Sequence, residues 1–243
     1  MKGVVLAGGL GKRLYPLTKV TNKHLLPVYN KPMIFYPIET LVRAGIIEVL
    51  LVTGGENAGD FLRLLGNGKE LGLKELNYAY QEGHGGIAEA LGLAEDFADK
   101  GKVVVILGDN VIEKNIFRHV VAFKQQPSGA RILLKKVSHP EHFGVPVFDN
   151  GRLVAIEEKP KKPQSDLAVT GIYMYDSHVF NIIKTLERSD RGELEISDVN
   201  NSYIKEGTMT HDFLDGWWID AGSSPDNLIL ASQWVKETGA NNL

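Results

Sequence analysis

The stretch KVVVILGDN, from Lys102 to Asn110, limits the folds open to this chain more than any other feature. Its apolar residues follow one another without the polar alternation of a half-buried strand, so it predicts a strand covered on both faces. Strands of that kind occupy parallel sheets flanked by helices. The stretch therefore indicates the α/β class.

The first half of the chain alternates strand patterns with helix patterns. This order of strand and helix predicts a mostly parallel sheet covered by helices. Strands are predicted at Val4–Leu6, Glu48–Gly55 and Leu76–Gln81, and helices at Lys31–Ile46, Asp60–Gly68 and Gly85–Phe97.

The second half of the chain has a different pattern. Strands are predicted at Ala130–Val137 and Ala168–Asp176. Between them, Asn150-Gly151 separates two β-rich runs, which is a strong signal for a two-residue hairpin. A closing helix is predicted at Ser224–Glu237, with Ser224 as its N-cap. We therefore expect mixed strand pairing beyond about residue 130, within a single domain of residues 1–243.

Composition and charge exclude several kinds of partner and chemistry. Lys and Arg number 27 against 30 Asp and Glu, and the net charge of −3 argues against non-specific binding of nucleic acid. The chain has no cysteine, which excludes disulfides, thiol catalysis and cysteine metal ligands. No apolar run approaches the roughly 20 residues of a membrane span or forms a signal-peptide core, so we expect a cytoplasmic protein without a membrane partner.

A glycine-rich stretch, GVVLAGGLGKRLYPLT from Gly3 to Thr18, follows the first strand. It does not fit a P-loop, whose first glycine would fall on Leu6. It does not fit the dinucleotide fingerprint either, because Leu14 stands at the third glycine position. A plain tight turn remains an alternative, but the adjacent cations Lys12 and Arg13 favour a phosphate-binding loop.

The longer stretch LAGGLGKRLYPLTKVTNKHLLPV, which begins at Leu6, resembles the signature of the sugar-1-phosphate nucleotidyltransferases. Further motifs are similar to those of one branch, the glucose-1-phosphate thymidylyltransferases, and occur in that family's order from Met1 to about Trp234. These motifs are NKPMIFYPIETLVRAGI, GGIAEAL, LGDN, EEKP, AVTGIYMYD, RGELEISDVNN and WWIDAG.

This resemblance implies a fold, a reaction and a cofactor. The fold is a three-layer α/β/α nucleotidyltransferase fold with a mostly parallel, mixed central sheet and a Rossmann-like N-terminal half. Residues at about 1–130 would form a nucleotide-binding lobe and residues at about 131–243 a sugar-phosphate-binding lobe. The phosphate of glucose 1-phosphate would attack the α-phosphorus of dTTP with the help of Mg²⁺, giving dTDP-glucose and pyrophosphate.

Two alternatives to this reaction stay open. One is the same chemistry with UTP, because a base site built on Gln81 and Gly86 serves uracil nearly as well as thymine. The other is a protein of another class, a non-catalytic regulator that binds nucleotide sugars. The presence of Arg13, Lys23, Asp109, Lys159 and Asp220 argues against the regulator.

The resemblance also implies a nucleotide site. The glycines would bring backbone N–H groups to the triphosphate, and Arg13 would bind the β- and γ-phosphates. Lys23 would contact the α-phosphate and the sugar phosphate, although its spacing alone favours a solvated surface lysine. Gln81 would pair with the base, unless it is only a polar residue at a strand end. The full set is Leu6, Gly8, Gly9, Gly11, Arg13, Lys23, Gln81 and Gly86.

Asp109 and Asp220 are the implied Mg²⁺ ligands, since Mg²⁺ prefers a few carboxylates together with phosphate oxygens and water. Asp109 could instead belong to an ordinary turn after the strand. Asp220 could be a helix cap, but Ser224 is better placed for that task.

The sugar phosphate would bind to a set of residues from the second half of the chain together with Asp109. Lys159 is expected to be extended because it precedes Pro160. The alternative for its segment, EEKPKKP, is a solvated charged loop. The set is Asp109, Gly144, Glu158, Lys159, Val169 and Arg191, and the residues with a catalytic role would be Arg13, Lys23, Asp109 and Lys159.

The sequence departs from the family at three places. Longer members continue further and form an oligomer contact and a second nucleotide site, whereas this sequence ends at Leu243, so the resemblance does not extend to feedback control through that site or to the tetramer it supports. A homo-oligomer of another kind stays open. Phe143 replaces a usual tyrosine, and Pro146 should restrict its strand to an edge.

Overall fold

The computed structural model describes all residues of the chain, 1–243. Thirteen strands and eight α-helices follow one another. The strands are β1 (Lys2–Ala7), β2 (Pro27–Val28), β3 (Lys31–Pro32), β4 (Glu48–Gly54), β5 (Glu75–Gln81), β6 (Val103–Leu107), β7 (Asn110–Ile112), β8 (Ala130–Lys136), β9 (Gly144–Asp149), β10 (Arg152–Glu158), β11 (Leu167–Tyr175), β12 (Met209–Phe213) and β13 (Trp218–Asp220). The helices are α1 (Phe35–Arg43), α2 (Ala58–Leu65), α3 (Ile87–Gly92), α4 (Glu95–Ala98), α5 (Phe117–Gln125), α6 (Val179–Ile183), α7 (Ile196–Lys205) and α8 (Pro225–Thr238).

A seven-stranded sheet in the order β12-β8-β11-β6-β1-β4-β5 forms the centre of the molecule. Strand β1 lies between β6 and β4 and is parallel to both. Strand β11 is antiparallel to its two neighbours, β6 and β8, while every other pair in the sheet is parallel. The predicted mostly parallel, mixed sheet is therefore confirmed.

Apolar side chains cover both faces of this sheet. Along β1, Val4 and Leu6 belong to one buried cluster and Val5 and Ala7 to another, because successive side chains of a strand point to opposite faces. Strand β6 divides in the same way between the two clusters. The sheet thus has a helical layer on each side, which confirms the three-layer α/β/α arrangement and explains the uninterrupted apolar run in β6.

Strands β9 and β10 form the hairpin that the sequence predicts. Asn150 and Gly151 connect them with φ angles of 48° and 80°, the left-handed conformations that a tight hairpin turn requires at both central positions. Pro146 lies in β9, which pairs with β10 alone and so leaves the proline on an edge.

Two helix predictions need correction. The helix expected over Lys31–Ile46 begins at Phe35, because Lys31–Pro32 instead pairs as a strand with Pro27–Val28. The helix expected over Gly85–Phe97 is broken into α3 and α4, and α3 ends at Gly92, a residue with low helix propensity.

A second, smaller ladder places the C-terminal part of the chain beside the central sheet. Strand β13 pairs antiparallel with β7, and Asp220 lies opposite Asn110. Helix α8 packs against this ladder, and the hydroxyl of Ser224 accepts a hydrogen bond from the backbone N–H of Asn227 at 3.1 Å, as its predicted N-cap role requires. No helix of the protein is both long and apolar enough to cross a lipid bilayer. The division into lobes near residue 130 stays a prediction.

Candidate active site

A cavity of about 600 Å³ opens at the carboxyl ends of the parallel strands. Leu6 from β1, Gln81 from β5 and Leu107 from β6 line its floor and walls. In open α/β sheets this edge is where ligands bind. The cavity brings together much of the predicted site: Leu6, Gly8, Gly9, Gly11, Arg13, Lys23, Gln81, Gly86, Asp109 and Arg191.

The glycine-rich loop forms one wall of the cavity and leaves little room for a side chain at Gly9 or Gly11. Gly11 has a φ of 64°, and a Cβ added there would lie 2.8 Å from the Cβ of Lys23. A Cβ added at Gly9 would lie 3.3 Å from Cε of the same lysine. The Thr18 hydroxyl donates to the carbonyl of Gly11 at 3.0 Å and holds the turn. The stem of Lys23 therefore runs along the loop.

Lys23 is an ion-paired residue of the cavity and not the solvated surface lysine that its spacing alone favours. Its ammonium contacts Oδ2 of Asp109, and only 13% of its side chain is exposed. Burial by itself would lower the pKa of Lys23, but the carboxylates of Asp109 and Asp220 outweigh burial and raise it. Lys23 is therefore charged and joins the glycine loop to the carboxylates.

Asp109 and Asp220 lie side by side although they are far apart in the chain. The β7–β13 ladder causes this proximity, since the N–H of Ala221 donates to the carbonyl of Asp109 at 2.9 Å. Burial and the negative charge of Asp109 raise the pKa of Asp220. Burial would also raise the pKa of Asp109, but the adjacent Lys23 ammonium reverses this and lowers it.

The donor set at Asp109 and Asp220 fits a hard divalent cation. Two neighbouring carboxylates, one of which resists ionisation, form a site that gains from added positive charge. No third His, Cys, Asp or Glu completes a cluster there, and Mg²⁺ ordinarily takes its remaining ligands from substrate phosphates and water.

At the other end of the cavity, Gly86 precedes helix α3, as predicted. It has a φ of 97°, and a Cβ added there would lie 2.5 Å from the carbonyl oxygen of Leu194. Ile87 and Ala90 from α3 and Leu6 from β1 add apolar surface beside Gln81. This end is suited to a flat ring with a polar edge.

Of the residues predicted to bind the sugar phosphate, those other than Asp109 and Arg191 border the cavity without lining it. A Cβ added at Gly144 would lie 3.6 Å from Oε2 of Glu158 and 3.8 Å from Cβ of Val169. Nη2 of Arg191, which does line the cavity, lies 3.7 Å from Oε1 of Glu158. The predicted residues Gly144, Glu158, Val169 and Arg191 therefore form one neighbourhood beside the cavity.

Lys159 is close to this neighbourhood but its predicted backbone is wrong. Its Nζ lies 3.2 Å from Oε1 of Glu158, and 47% of its side chain is exposed. Its φ is 46°, which is left-handed and not extended. The backbone N–H of Lys159 donates to the carbonyl of Phe143 at 3.0 Å, so the chain is still tied to the hairpin where it turns away at Pro160.

Arg191 is held by carboxylates on several sides. Its Nε and Nη2 donate to the two oxygens of Glu195 at 3.1 and 2.7 Å, and Glu193 lies 3.4 Å away. Burial acts to lower the pKa of Arg191, while Glu195 and the neighbouring glutamates raise it. The guanidinium is therefore positioned at the cavity before any substrate arrives.

Sequence reasoning missed several residues of the cavity, among them His24, His84, Glu193 and Gly222. Burial, followed by the charge of Lys23, lowers the pKa of His24 to about 3, so the ring is neutral. A Cβ added at Gly222 would lie 2.9 Å from Oδ2 of Asp109. The position of Gly222 within WWIDAG, two residues after Asp220, was an available signal, whereas histidine spacing offered none.

Comparisons with known proteins show which proteins the chain resembles. The family model described as nucleotidyl transferase matches residues 2–237. The chain is 44% identical over 242 residues to a glucose-1-phosphate thymidylyltransferase of Neisseria meningitidis, covering 97% of this chain and 83% of that protein. It is 43% identical over 229 residues to a protein of the same name from Actinoplanes, covering 93% and 75%.

Solved structures give the same result for the fold. A protein described as a glucose-1-phosphate thymidylyltransferase from Bacillus anthracis, crystallised with sucrose, superposes with a TM-score of 0.93 at 49% identity, covering 98% of this chain and 96% of that one. An apo UDP-glucose pyrophosphorylase superposes with a TM-score of 0.83 at 22% identity, covering 98% of each chain, and shares the fold.

Proposed function

The chain belongs to the nucleotidyl transferase family, and from that premise we propose that it transfers a thymidylyl group from dTTP to glucose 1-phosphate, giving dTDP-glucose and pyrophosphate. The observation that carries the proposal is the position of Lys23 between the glycine-rich loop and the carboxylate of Asp109. A cation at this point can neutralise a phosphate that lies on the loop while it remains beside the carboxylate pair.

The residues around the cavity divide the work of bringing two polyanions together. Arg13 binds the β- and γ-phosphates and stabilises the departing pyrophosphate, since a guanidinium can donate to phosphate in a bidentate way. Lys23 neutralises the α-phosphate, where the oxygen of the sugar phosphate attacks. Lys159 and Arg191 hold the sugar phosphate, and Glu158 accepts hydrogen bonds from sugar hydroxyls. No covalent intermediate is needed, because positioning and charge account for catalysis of this kind.

Asp109 and Asp220 would hold Mg²⁺. When bound, this cation supplies positive charge to the phosphates and lowers their mutual repulsion. The raised pKa of Asp220 supports the assignment, because the carboxylate pair alone carries unfavourable charge.

The test of the proposed reaction is a pyrophosphate-release assay with purified protein, Mg²⁺ and glucose 1-phosphate. It compares dTTP, UTP, CTP and GTP, and mixtures without glucose 1-phosphate give the background. We expect the highest turnover with dTTP. Equal or faster turnover with UTP would overturn the thymidylyl preference and leave a uridylyltransferase.

The same assay separates an enzyme from a regulator that only binds nucleotide sugars. Binding of dTTP without release of pyrophosphate under any condition would favour the regulator. The proposed substrates are phosphorylated metabolites of the cell interior, which supports a cytoplasmic location. A homo-oligomer stays a prediction that sedimentation analysis would check.

A further inference from the structure

The side-chain amide of Gln81 has one orientation in the cavity. Its Nε2 donates to the carbonyl of Gly86 at 3.1 Å and to Oε1 of Glu89 at 3.1 Å. A carbonyl oxygen and a carboxylate oxygen can only accept, so the nitrogen of the amide must face both of them. Turning the amide over would place its oxygen against two acceptors.

Glu89 is itself fixed at this position. Its Oε1 takes the hydrogen bond from Gln81, and its Oε2 takes one from Nη2 of Arg188 at 2.5 Å. The carboxylate packs on the backbone of Gly85, where an added Cβ would lie 1.9 Å from it. Burial would raise the pKa of Glu89, but the hydrogen bonds from Gln81 and Arg188 outweigh it and lower the pKa, so Glu89 stays ionised and remains an acceptor.

The oxygen of the same amide points the other way. Oε1 of Gln81 lies 3.0 Å from the position that a Cβ on Gly8 would occupy, and Gly8 and Gln81 line the same cavity. The protein donates no side-chain hydrogen bond to this oxygen, and it is not among the fully buried atoms that lack a partner. The oxygen is therefore open to the cavity as a free acceptor.

We propose that Glu89 is a positioning residue that fixes Gln81 with its oxygen toward the cavity, so that the base site selects nucleobases that carry a ring N–H at their polar edge. Thymine and uracil have such a group at N3. Cytosine has an unprotonated N3 whose lone pair would face the lone pairs of Gln81 Oε1. This inference rests on the proposed function, and it names what distinguishes one pyrimidine from another.

The test compares binding of dTTP, dUTP and dCTP to the whole protein and to Glu89→Leu by titration calorimetry. The wild type should bind dTTP about tenfold more tightly than dCTP. A tenfold difference in Kd corresponds to the free energy of roughly one hydrogen bond. Loss of the Glu89 acceptor leaves only the Gly86 carbonyl to hold the amide, so the turned orientation becomes more populated and the dTTP/dCTP ratio should fall severalfold. The dTTP/dUTP ratio should not change, because both bases carry the same N3–H.

If Glu89 had only a structural role, Glu89→Leu would weaken the binding of all three nucleotides by the same factor. An unchanged dTTP/dCTP ratio in Glu89→Leu would overturn the proposal, as would a wild type that does not discriminate between these two nucleotides. Glu89→Ala, with its high helix propensity, replaces Glu89→Leu if the leucine variant does not fold. Lys184→Met is the control, since it removes an exposed cation that pairs with Glu95 and not with Glu89, and it should leave the ratio as in the wild type.

The outcome is distinguishable from failure of the proposed function. Failure of the function would show as an absence of pyrophosphate release with every nucleotide. Failure of the inference would show as an active enzyme whose dTTP/dCTP ratio does not depend on Glu89.

Discussion

Asn110 donates from Nδ2 to Oδ1 of Asp109 at 3.1 Å, and its own Oδ1 accepts two further hydrogen bonds. These come from the backbone N–H of Gly171 at 3.0 Å and from the indole N–H of Trp218 at 2.6 Å. Gly171 lies in β11 and Trp218 in β13. One buried amide therefore orients the carboxylate of Asp109 and joins the central sheet to the small ladder that carries Asp220.

Asn110→Ala should destabilise the protein by about 2–4 kcal/mol, because it leaves the buried N–H groups of Gly171 and Trp218 without an acceptor. Activity of the folded variant should also fall, since Asp109 loses a partner. Urea unfolding monitored by circular dichroism measures the first effect. Gln164→Ala, which removes an exposed amide bonded to Glu157, is the control and should stay within about 0.5 kcal/mol of the wild type.

Asp220→Asn should lower pyrophosphate release by about 100-fold or more while it leaves the fold intact or more stable at pH 8. The activity falls because a proposed metal ligand is lost. The stability holds because the pKa of Asp220 is raised, so its ionisation opposes folding as the pH rises through the folded-state pKa, and asparagine removes that ionisation. Assay and urea unfolding of the same preparation give both values.

Asp109→Asn is the informative comparison for Asp220→Asn. It should lose activity to a similar extent but also lose stability, since the pKa of Asp109 is lowered by the Lys23 ammonium, which would be left with a weaker partner. Near wild-type kcat in both variants would remove the basis for placing the metal at this pair.

The stability of the protein should decrease as the pH falls from 6.5 to 5, in part because of His24. Its folded-state pKa is lowered to about 3 by burial and by the charge of Lys23, whereas an unfolded histidine titrates near 6.5. Below pH 6.5 the unfolded chain therefore binds a proton that the folded protein does not. This contributes a loss of about 1.4 kcal/mol per pH unit once the unfolded histidine is protonated.

The measurement is the free energy of unfolding from urea titrations at several pH values between 5 and 7. His24→Asn should flatten this dependence, while Gln164→Ala, which removes an exposed side chain without a titratable group, should leave the slope of the wild type. The same slope in His24→Asn and the wild type would contradict the prediction.

Local chemistry explains which features of the molecule were predictable from the sequence. The Asn150-Gly151 turn and the Ser224 cap depend on residues within a few positions, and both are present. The parallel strands follow from apolar runs. The meeting of Asp109 with Asp220 depends on the β7–β13 ladder, so only the family resemblance predicted it.

Other features could not be predicted because they depend on contacts between distant segments. The left-handed backbone of Lys159 accompanies a hydrogen bond to Phe143, and the burial of Lys23 follows from its passage along the glycine loop. The contact of Glu89 with Gln81 joins a helix to a strand end. The position of Gly222 two residues after Asp220 was a signal, but its close approach to Asp109 and Lys23 depends on the fold.

Gly222→Ala should lower activity about 10- to 100-fold, because its added Cβ would lie 2.9 Å from Cβ and Oδ2 of Asp109 and 3.0 Å from Cδ of Lys23. The φ of Gly222 is not in the left-handed region, so the alanine backbone is unstrained and displacement of the Asp109–Lys23 pair is the sole cause. Overpacking should also cost about 1–3 kcal/mol of stability.

Gly59→Ala is the matched control for Gly222→Ala. Gly59 lies exposed in α2, and nothing approaches its added Cβ within 4 Å. Alanine should stabilise this helix by about 0.5–1 kcal/mol and leave activity unchanged. Pyrophosphate-release kinetics measure the activity of the two variants, and urea unfolding measures their stability. Equal activity in Gly222→Ala and Gly59→Ala would show that the Asp109–Lys23 pair tolerates the added methyl group. Gly222→Ala should lower the stability and Gly59→Ala should raise it. Each variant adds one methyl group to a glycine whose backbone accepts it, so the difference arises from the space around the added Cβ.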